Sequence, residues 1–239
     1  MVHDAGNGAD PDHHDAPQDS ARAQLFPPWA TLAARLGLFA AFALPLGLAG
    51  LLMALQYTPY VTAQGLTPAQ PVPFSHAHHV GGLGLDCRNC HTGVEQSRHA
   101  GLPPTETCMT CHSQIWTNAE MLAPVRRSFA ENQPIRWQRV NALPDYVYFD
   151  HSIHVAKGVG CTTCHGPVDT MPLMRQAAPL TMGWCLECHR NPAPSLRPEG
   201  EIFSTGWTPP ADQAVRGREL IEHYLIRTEH LTDCTVCHR

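Results

Sequence analysis

The chain has 239 residues, with 16 Lys and Arg against 21 Asp and Glu and a formal net charge of −5. No basic stripe runs along it, which argues against a nucleic-acid partner. Its 22 prolines, 18 glycines and 7% aromatic content favour short helices and irregular chain over long sheets.

Met1 to Ser20 is polar and acidic, with Asp4, Asp10, Asp12, Asp15 and Asp19 interleaved with His3, His13 and His14. A metal-binding tail is the sharper reading of those histidines, but the composition favours plain disorder, so residues 1–30 are read as a cytoplasmic disordered tail. From Leu36 to Leu55, "LGLFAAFALPLGLAGLLMAL" gives 20 residues without a charge. That is the length one membrane-spanning helix needs, and Pro45 would kink it without forbidding it. Residues 31–57 are therefore expected to be a transmembrane anchor. A cleaved signal peptide is the competing reading, and it fits poorly: about 35 residues precede the run, five aspartates lie among them, and no A-x-A site follows Leu55. Arg22 and Arg35 precede the run and no Lys or Arg follows until Arg88. The positive-inside rule then puts the N-terminus in the cytoplasm, with a single pass and the remainder outside; that orientation suits a bacterial inner membrane with the remainder in the periplasm. Tyr57 and Tyr60 fit an interfacial belt, and Pro59, Pro68, Pro71 and Pro73 make residues 58–73 a stiff, extended linker.

Five C-x-x-C-H motifs follow: Cys87, Cys90 and His91; Cys108, Cys111 and His112; Cys161, Cys164 and His165; Cys185, Cys188 and His189; Cys234, Cys237 and His238. They use all ten cysteines. C-x-x-C-H is the c-type haem attachment sequence, bringing two thioether cysteines and one axial histidine. Five copies with no cysteine left over leave little room for a zinc site, a disulfide framework or a redox dithiol. The chain is expected to carry five covalently bound haems c. All five motifs fall between Phe74 and Arg239, about one per 33 residues, so the macrocycles must supply much of the apolar interior. The fold class expected is a multihaem cytochrome c: short α-helices and irregular chain packed around five haems, plus one N-terminal transmembrane helix.

Two stretches repeat. "FSHAHHVGGLGLDCRNCH" from Phe74 and "FDHSIHVAKGVGCTTCH" from Phe149 share the Phe, two histidines three apart, a Val and the motif, at an offset of 75 residues. First cysteines of successive motifs lie 21, 53, 24 and 49 residues apart. Short intervals within a unit alternate with long ones, giving a first unit of two haems with its connecting segment, 74–148, and a second of three, 149–239. Each unit opens on H-x-x-H, His76 and His79, then His151 and His154. Residues three apart on a helical turn project from nearly one face and reach two different irons. A closed, low-spin iron needs a second ligand opposite the motif histidine. These four histidines are the candidates, one of each pair for the unit's own first haem and the other for a neighbour.

One distal ligand is still owed. Candidates are Met171, Met174, Met182, His99, His223 and His230. Met182 and His230 sit three and four residues before a motif cysteine, too close to reach the far face of that haem. Met171 and Met174 have slack to wrap over the haem at Cys185, with a slight preference for Met171; a thioether ligand raises the potential. In the connecting segment, Asn118 to Ala130 is expected to be a helix with Met121, Leu122, Val125 and Phe129 inward, and "IRWQRV" alternates as a short strand does. Arg126, Arg127, Arg136 and Arg139 are either propionate partners or a solvated face. Ala211 to Leu231 reads as a helix.

F-x-H-x-x-H before C-x-x-C-H resembles the class III multihaem cytochromes c. "PPTETCMTCHSQIW", "YFDHSIHVAKGVGCTTCHG", and "MPLM" with "GWCLECHRNP" resemble the pentahaem, membrane-anchored cytochrome subunit of bacterial alternative complex III. The resemblance covers about Pro71 to Arg239 and the position of the anchor. It implies an electron-transfer subunit, not an enzyme on its own, relaying electrons from quinol oxidation toward a periplasmic acceptor. It also implies partners: an iron–sulfur subunit, polytopic quinol-binding membrane subunits and a monohaem cytochrome c. The distal ligands it implies are His76, His79, His151 and His154. Two other readings compete: a self-sufficient quinol dehydrogenase, against which the stiff linker speaks, and a multihaem reductase, which needs an open haem site.

Overall fold

The computed structural model describes residues 26–238, so the expected N-terminal tail lies outside the described residues up to residue 25. Helix α1 (Pro28–Leu55) runs 28 residues, continuous through Pro45. At about 1.5 Å per residue it is about 42 Å long, more than the roughly 30 Å of a bilayer's hydrocarbon core. It is apolar all round, with mean hydropathy 2.3 over its most apolar window and none of that window buried, so it is long and apolar enough to cross a membrane. The chain divides into two compact units, Met1–Leu52 and Met53–Arg239. Both expected haem units fall in the second.

That second unit is built from short helices: α2 (Pro59–Thr62), α3 (Thr105–His112), α4 (Ala123–Glu131), α5 (His151–Ala156), α6 (Cys161–His165), α7 (Met182–Arg190), α8 (Gln213–His223) and α9 (Cys234–Cys237), joined by single 3-10 turns and one π-helical turn, Ala77–Gly82. Among the described residues the only sheet-like pairing is one antiparallel bridge, Val159 with Leu196. The apolar interior is correspondingly thin. Val72, Leu122 and Val125 pack with Met109, Ile135 and Trp137 in one cluster. Elsewhere Leu196 is 1% exposed, with Gln213 donating to the carbonyls of Ala193 and Leu196, both at 2.9 Å. Helix α8 packs on the Ala193–Ser195 turn. Gly217 makes that approach possible, because a Cβ there would overlap the Ala193 carbonyl.

Several expectations in the connecting segments are corrected. Ile135 to Val140 forms no strand. Its backbone is engaged instead by Gln70, whose Nε2 donates to the Gln138 carbonyl (2.9 Å) and whose Oε1 accepts from the Gln138 N–H (3.0 Å). The helix expected over 118–130 is a 3-10 turn, Glu120–Leu122, running into α4. Leu122 and Val125 face inward, but Met121 and Phe129 are each 48% exposed. The helix expected over 211–231 ends at His223, and Leu225 follows in the left-handed region at φ 50°.

The proline-rich linker is not a free spacer. Gln176, 3% exposed, donates to the carbonyls of Thr62 (2.6 Å) and Ala178 (3.0 Å). Its own carbonyl accepts from Gly65 N–H (2.7 Å), and its N–H donates to the Leu66 carbonyl (3.3 Å). Gln64 Nε2 adds a bond to the Ala177 carbonyl at 2.9 Å. Gln176→Ala strips two buried bonds and is expected to cost about 1–3 kcal/mol; limited proteolysis should cleave near residues 62–66 faster than in the parent chain.

Candidate haem-ligating array

In each motif the two cysteines, three apart, lie on or at the end of a helical turn and share one face, and the histidine follows directly. The turns are capped locally. Asp86 accepts from the Arg88 N–H at the first motif, Thr181 from the Trp184 N–H on α7, and Asp150 from the Ser152 N–H on α5.

The repeat is preserved in three dimensions. The Phe74 ring lies edge-on to His76 (4.9 Å, 86°) and stacked on His79 (4.3 Å, 22°). The Phe149 ring does the same for His151 (4.8 Å, 88°) and His154 (4.5 Å, 29°). One phenyl ring therefore sets the headings of both histidines in each H-x-x-H.

Those headings bring three of the four opposite a motif histidine. His79 faces His112 with ring centroids 6.3 Å apart, His151 faces His165 at 6.4 Å, and His154 faces His189 at 6.1 Å. With a metal–nitrogen bond of about 2.0 Å and about 1.1 Å from nitrogen to ring centre, two imidazoles on opposite sides of one metal stand about 6 Å apart. The interplanar angles differ: 69° for His79 and His112, 4° for His151 and His165, 29° for His154 and His189. His76 lies beside His91. Burial, then His91 and His79, push His76 down to about 4. Burial, then His151, His91 and His76, push His165 down to about 4, and burial lowers His154. Neutral imidazoles are what a metal requires.

Hydrogen bonding fixes the tautomers. The Nδ1–H groups of His79 and His154 donate to the carbonyls four residues back, Ser75 (2.8 Å) and Asp150 (2.7 Å). His91 donates to the Gly101 carbonyl (2.7 Å), His112 to Ile115 (3.3 Å), His151 to Arg98 (2.8 Å), His189 to Leu231 (2.8 Å) and His238 to Tyr146 (3.1 Å). A carbonyl can only accept, so Nδ1 carries the proton and Nε2 keeps its lone pair for a metal. His165 Nδ1 lies 3.1 Å from the Asn141 amide nitrogen, while Asn141 Oδ1 is buried without a partner. Turning the amide over lets Oδ1 accept from His165 Nδ1–H, which gives His165 the same tautomer. His76 departs from the pattern, its buried Nδ1 having no partner. His78 instead stacks on Trp116 (5.8 Å, 15°).

Opposed imidazoles beside paired, unbridged cysteines suit a covalently held haem. They do not suit zinc: among the described residues no three His, Cys, Asp or Glu side chains converge as a metal site.

Residues 147–239 match the family of cytochrome c7 and related cytochrome c. That stretch is cytochrome c7-like. The multihaem cytochrome c subunit of menaquinone reductase from Nitratidesulfovibrio vulgaris is 35% identical over 97 residues, which is 40% of this chain and 45% of that protein. The chain thus matches less than half the length of that curated relative.

The cytochrome-like cysteines also neighbour one another across motifs. Cys87 and Cys161 lie close enough to perturb each other's ionisation. Cys108 is close enough to Cys90, Cys164 to Cys188 and Cys185, and Cys185 to Cys237 to perturb each other's ionisation. Met171 is enclosed entirely by protein, 0% exposed, so its thioether has no face left for a metal; its carbonyl accepts from the Ala77 N–H at 2.9 Å. Met174 is only partly buried. His154 stands opposite His189, so an imidazole already faces the motif at Cys185, over which Met171 and Met174 were expected to wrap. Sequence reasoning missed Asn141, and it gave Phe74 and Phe149 no role although both recur in the repeat.

Proposed function

We propose that this chain holds five covalent haems c and is the electron-relay subunit of a membrane quinol oxidoreductase resembling alternative complex III. The observation that carries the reading is the set of opposed imidazole pairs about 6 Å apart, each joining an H-x-x-H histidine to a motif histidine. Bound at each motif, a haem supplies a one-electron iron couple. The chain's part is to hold that couple closed and close to the next. The ligand pairs are His76 with His91, His79 with His112, His151 with His165, and His154 with His189; Met174 serves His238. Cysteine proximity orders the attachment segments in space as Cys108, Cys87, Cys161, Cys185, Cys234. The ends of the relay are then the second and fifth motifs in sequence. Helix α1 is the anchor, with its N-terminus cytoplasmic and the cysteine-bearing unit periplasmic. The partners are an iron–sulfur subunit, quinol-binding membrane subunits and a monohaem cytochrome c.

The direction of transfer has a second reading. The Nitratidesulfovibrio relative is named a menaquinone reductase, which favours electrons passing toward a quinone. The deciding experiment uses membranes containing the whole complex. Reduction of the haem bands by a quinol analogue, and reoxidation by a soluble cytochrome c, is the outcome for quinol oxidation; haem reoxidation by added menaquinone analogue is the outcome for the reverse. No haem response to either removes the quinone link.

The fifth ligand is tested separately. Met174→Leu is expected to abolish the near-infrared methionine-to-iron charge-transfer band of the oxidised protein, whereas Met171→Leu leaves the band in place and costs only packing, under about 1.5 kcal/mol.

A further inference from the structure

Arg197 is the only charged side chain buried in the interior among the described residues, 3% exposed. Its Nη2 donates to Thr162 Oγ1, and its Nη1 to the carbonyls of Ser204 (2.9 Å) and Glu201 (3.3 Å). Nε is buried with no partner. The guanidinium carbon stands 4.5 Å from the centre of the Trp207 ring, and Arg197 makes no ion pair among the described residues. Gly160 lies directly beneath it: a Cβ there would overlap the guanidinium. The charge therefore rests on the residues flanking Cys161, in the turn that carries Cys161, Cys164 and His165.

The equivalent turn of the first unit is arranged differently. Arg88, between Cys87 and Cys90, is exposed and neutralised. Its Nε and Nη2 bond both oxygens of Asp86 at 2.8 and 2.9 Å, and Glu95 lies 3.7 Å away. The two units thus repeat the same Phe, His and His geometry but not the same charge. Arginine keeps its proton even when enclosed, and burying its charge without a counter-ion is costly. Packing alone would be served by a neutral side chain. Thioethers tie a c-type haem by its vinyl edge, with the propionates at the opposite edge. A guanidinium seated at Cys161 is accordingly not the partner of that haem's own carboxylates, and no described carboxylate lies within ion-pair distance of it.

We propose that Arg197 sets the reduction potential of the haem attached at Cys161 and Cys164, raising it above that of its repeat equivalent at Cys87 and Cys90. Gaining an electron lowers the positive charge on the iron by one, so a fixed nearby cation favours the reduced form. The proposal rests on the five-haem reading above. It makes the two repeats unequal by electrostatics, with their axial ligands alike.

The test is a redox titration of the full-length, detergent-solubilised chain, followed at the haem α band and by electron paramagnetic resonance. Arg197→Gln is expected to move one component to lower potential by about tenfold in its reduction equilibrium, about 59 mV for one electron. Arg197→Lys, which keeps the charge, is expected to restore most of that shift. Ser204→Asp leaves Arg197 in place and sets a carboxylate beside it, and is expected to lower the same component; it serves also if the Gln variant fails to mature. Unchanged midpoints in Arg197→Gln, or in Ser204→Asp, with five haems attached overturn the proposal. A haem count below five in the parent chain, by intact mass, instead sinks the reading on which it rests.

Discussion

His154→Ala is expected to leave every haem attached while turning one low-spin centre high-spin. Thioether formation needs only the C-x-x-C-H turn, and His154 belongs to none; what it supplies is the imidazole 6.1 Å from His189. Without it the iron keeps one strong axial ligand, the ligand field weakens, and the reduced protein should newly bind carbon monoxide. His78→Ala is the control. His78 stacks on Trp116 and opposes no motif histidine, so its loss should leave the spectrum unchanged. The interplanar angles make the pairs separable. Parallel rings split the two iron orbitals that bond the imidazoles, and perpendicular rings leave them nearly equal in energy. His79 and His112, at 69°, should therefore give the most anisotropic low-spin signal, and His151 and His165, at 4°, a rhombic one. Five low-spin components surviving in His154→Ala would discard the pairing.

Gly217→Val is expected to destabilise the second unit by about 1–3 kcal/mol or more, because overpacking a close backbone contact forces the elements apart. Helix α8 meets the Ala193–Ser195 turn through Gly217, which has no room for a Cβ. Thermal melting should drop by several degrees. Gly206→Ala, at a position with nothing within 4 Å, is the comparison and should melt as the parent does. Equal melting for the two would mean that the contact with Ala193 carries no weight.

What could be read from the sequence was local or repeated. The C-x-x-C-H turns, the F-x-H-x-x-H repeat and the apolar helix each lie within a few dozen residues, where spacing alone constrains geometry. Pairing was not local: His79 meets His112 and His154 meets His189, and no periodicity connects them. Asn141 sits in a connecting segment and acts on His165, 24 residues on, so nothing nearby in sequence marks it. The alternation of "IRWQRV" was real but misleading. A strand needs a partner edge, and here the Gln70 side chain takes the hydrogen bonds that a neighbouring strand would have made. Met121 and Phe129 failed for a related reason. Helix α4 begins only at Ala123, so Met121 sits in the 3-10 turn before it, and the buried side of α4 runs through Val125 and Ser128, which leaves Phe129 at its exposed edge.

The carbonyl acceptors bear on modularity. His151 and His238 lie in the expected three-haem stretch, 149–239, yet their Nδ1–H groups are held by Arg98 and Tyr146, and His165 leans on Asn141. All three supports precede residue 147, where the family match begins. A segment cut at that boundary would keep its cysteines and its histidines but lose the groups that aim three of them. The two repeats therefore behave as halves of one instrument, and a stand-alone C-terminal piece should take up haem without the spectrum it has in the whole chain.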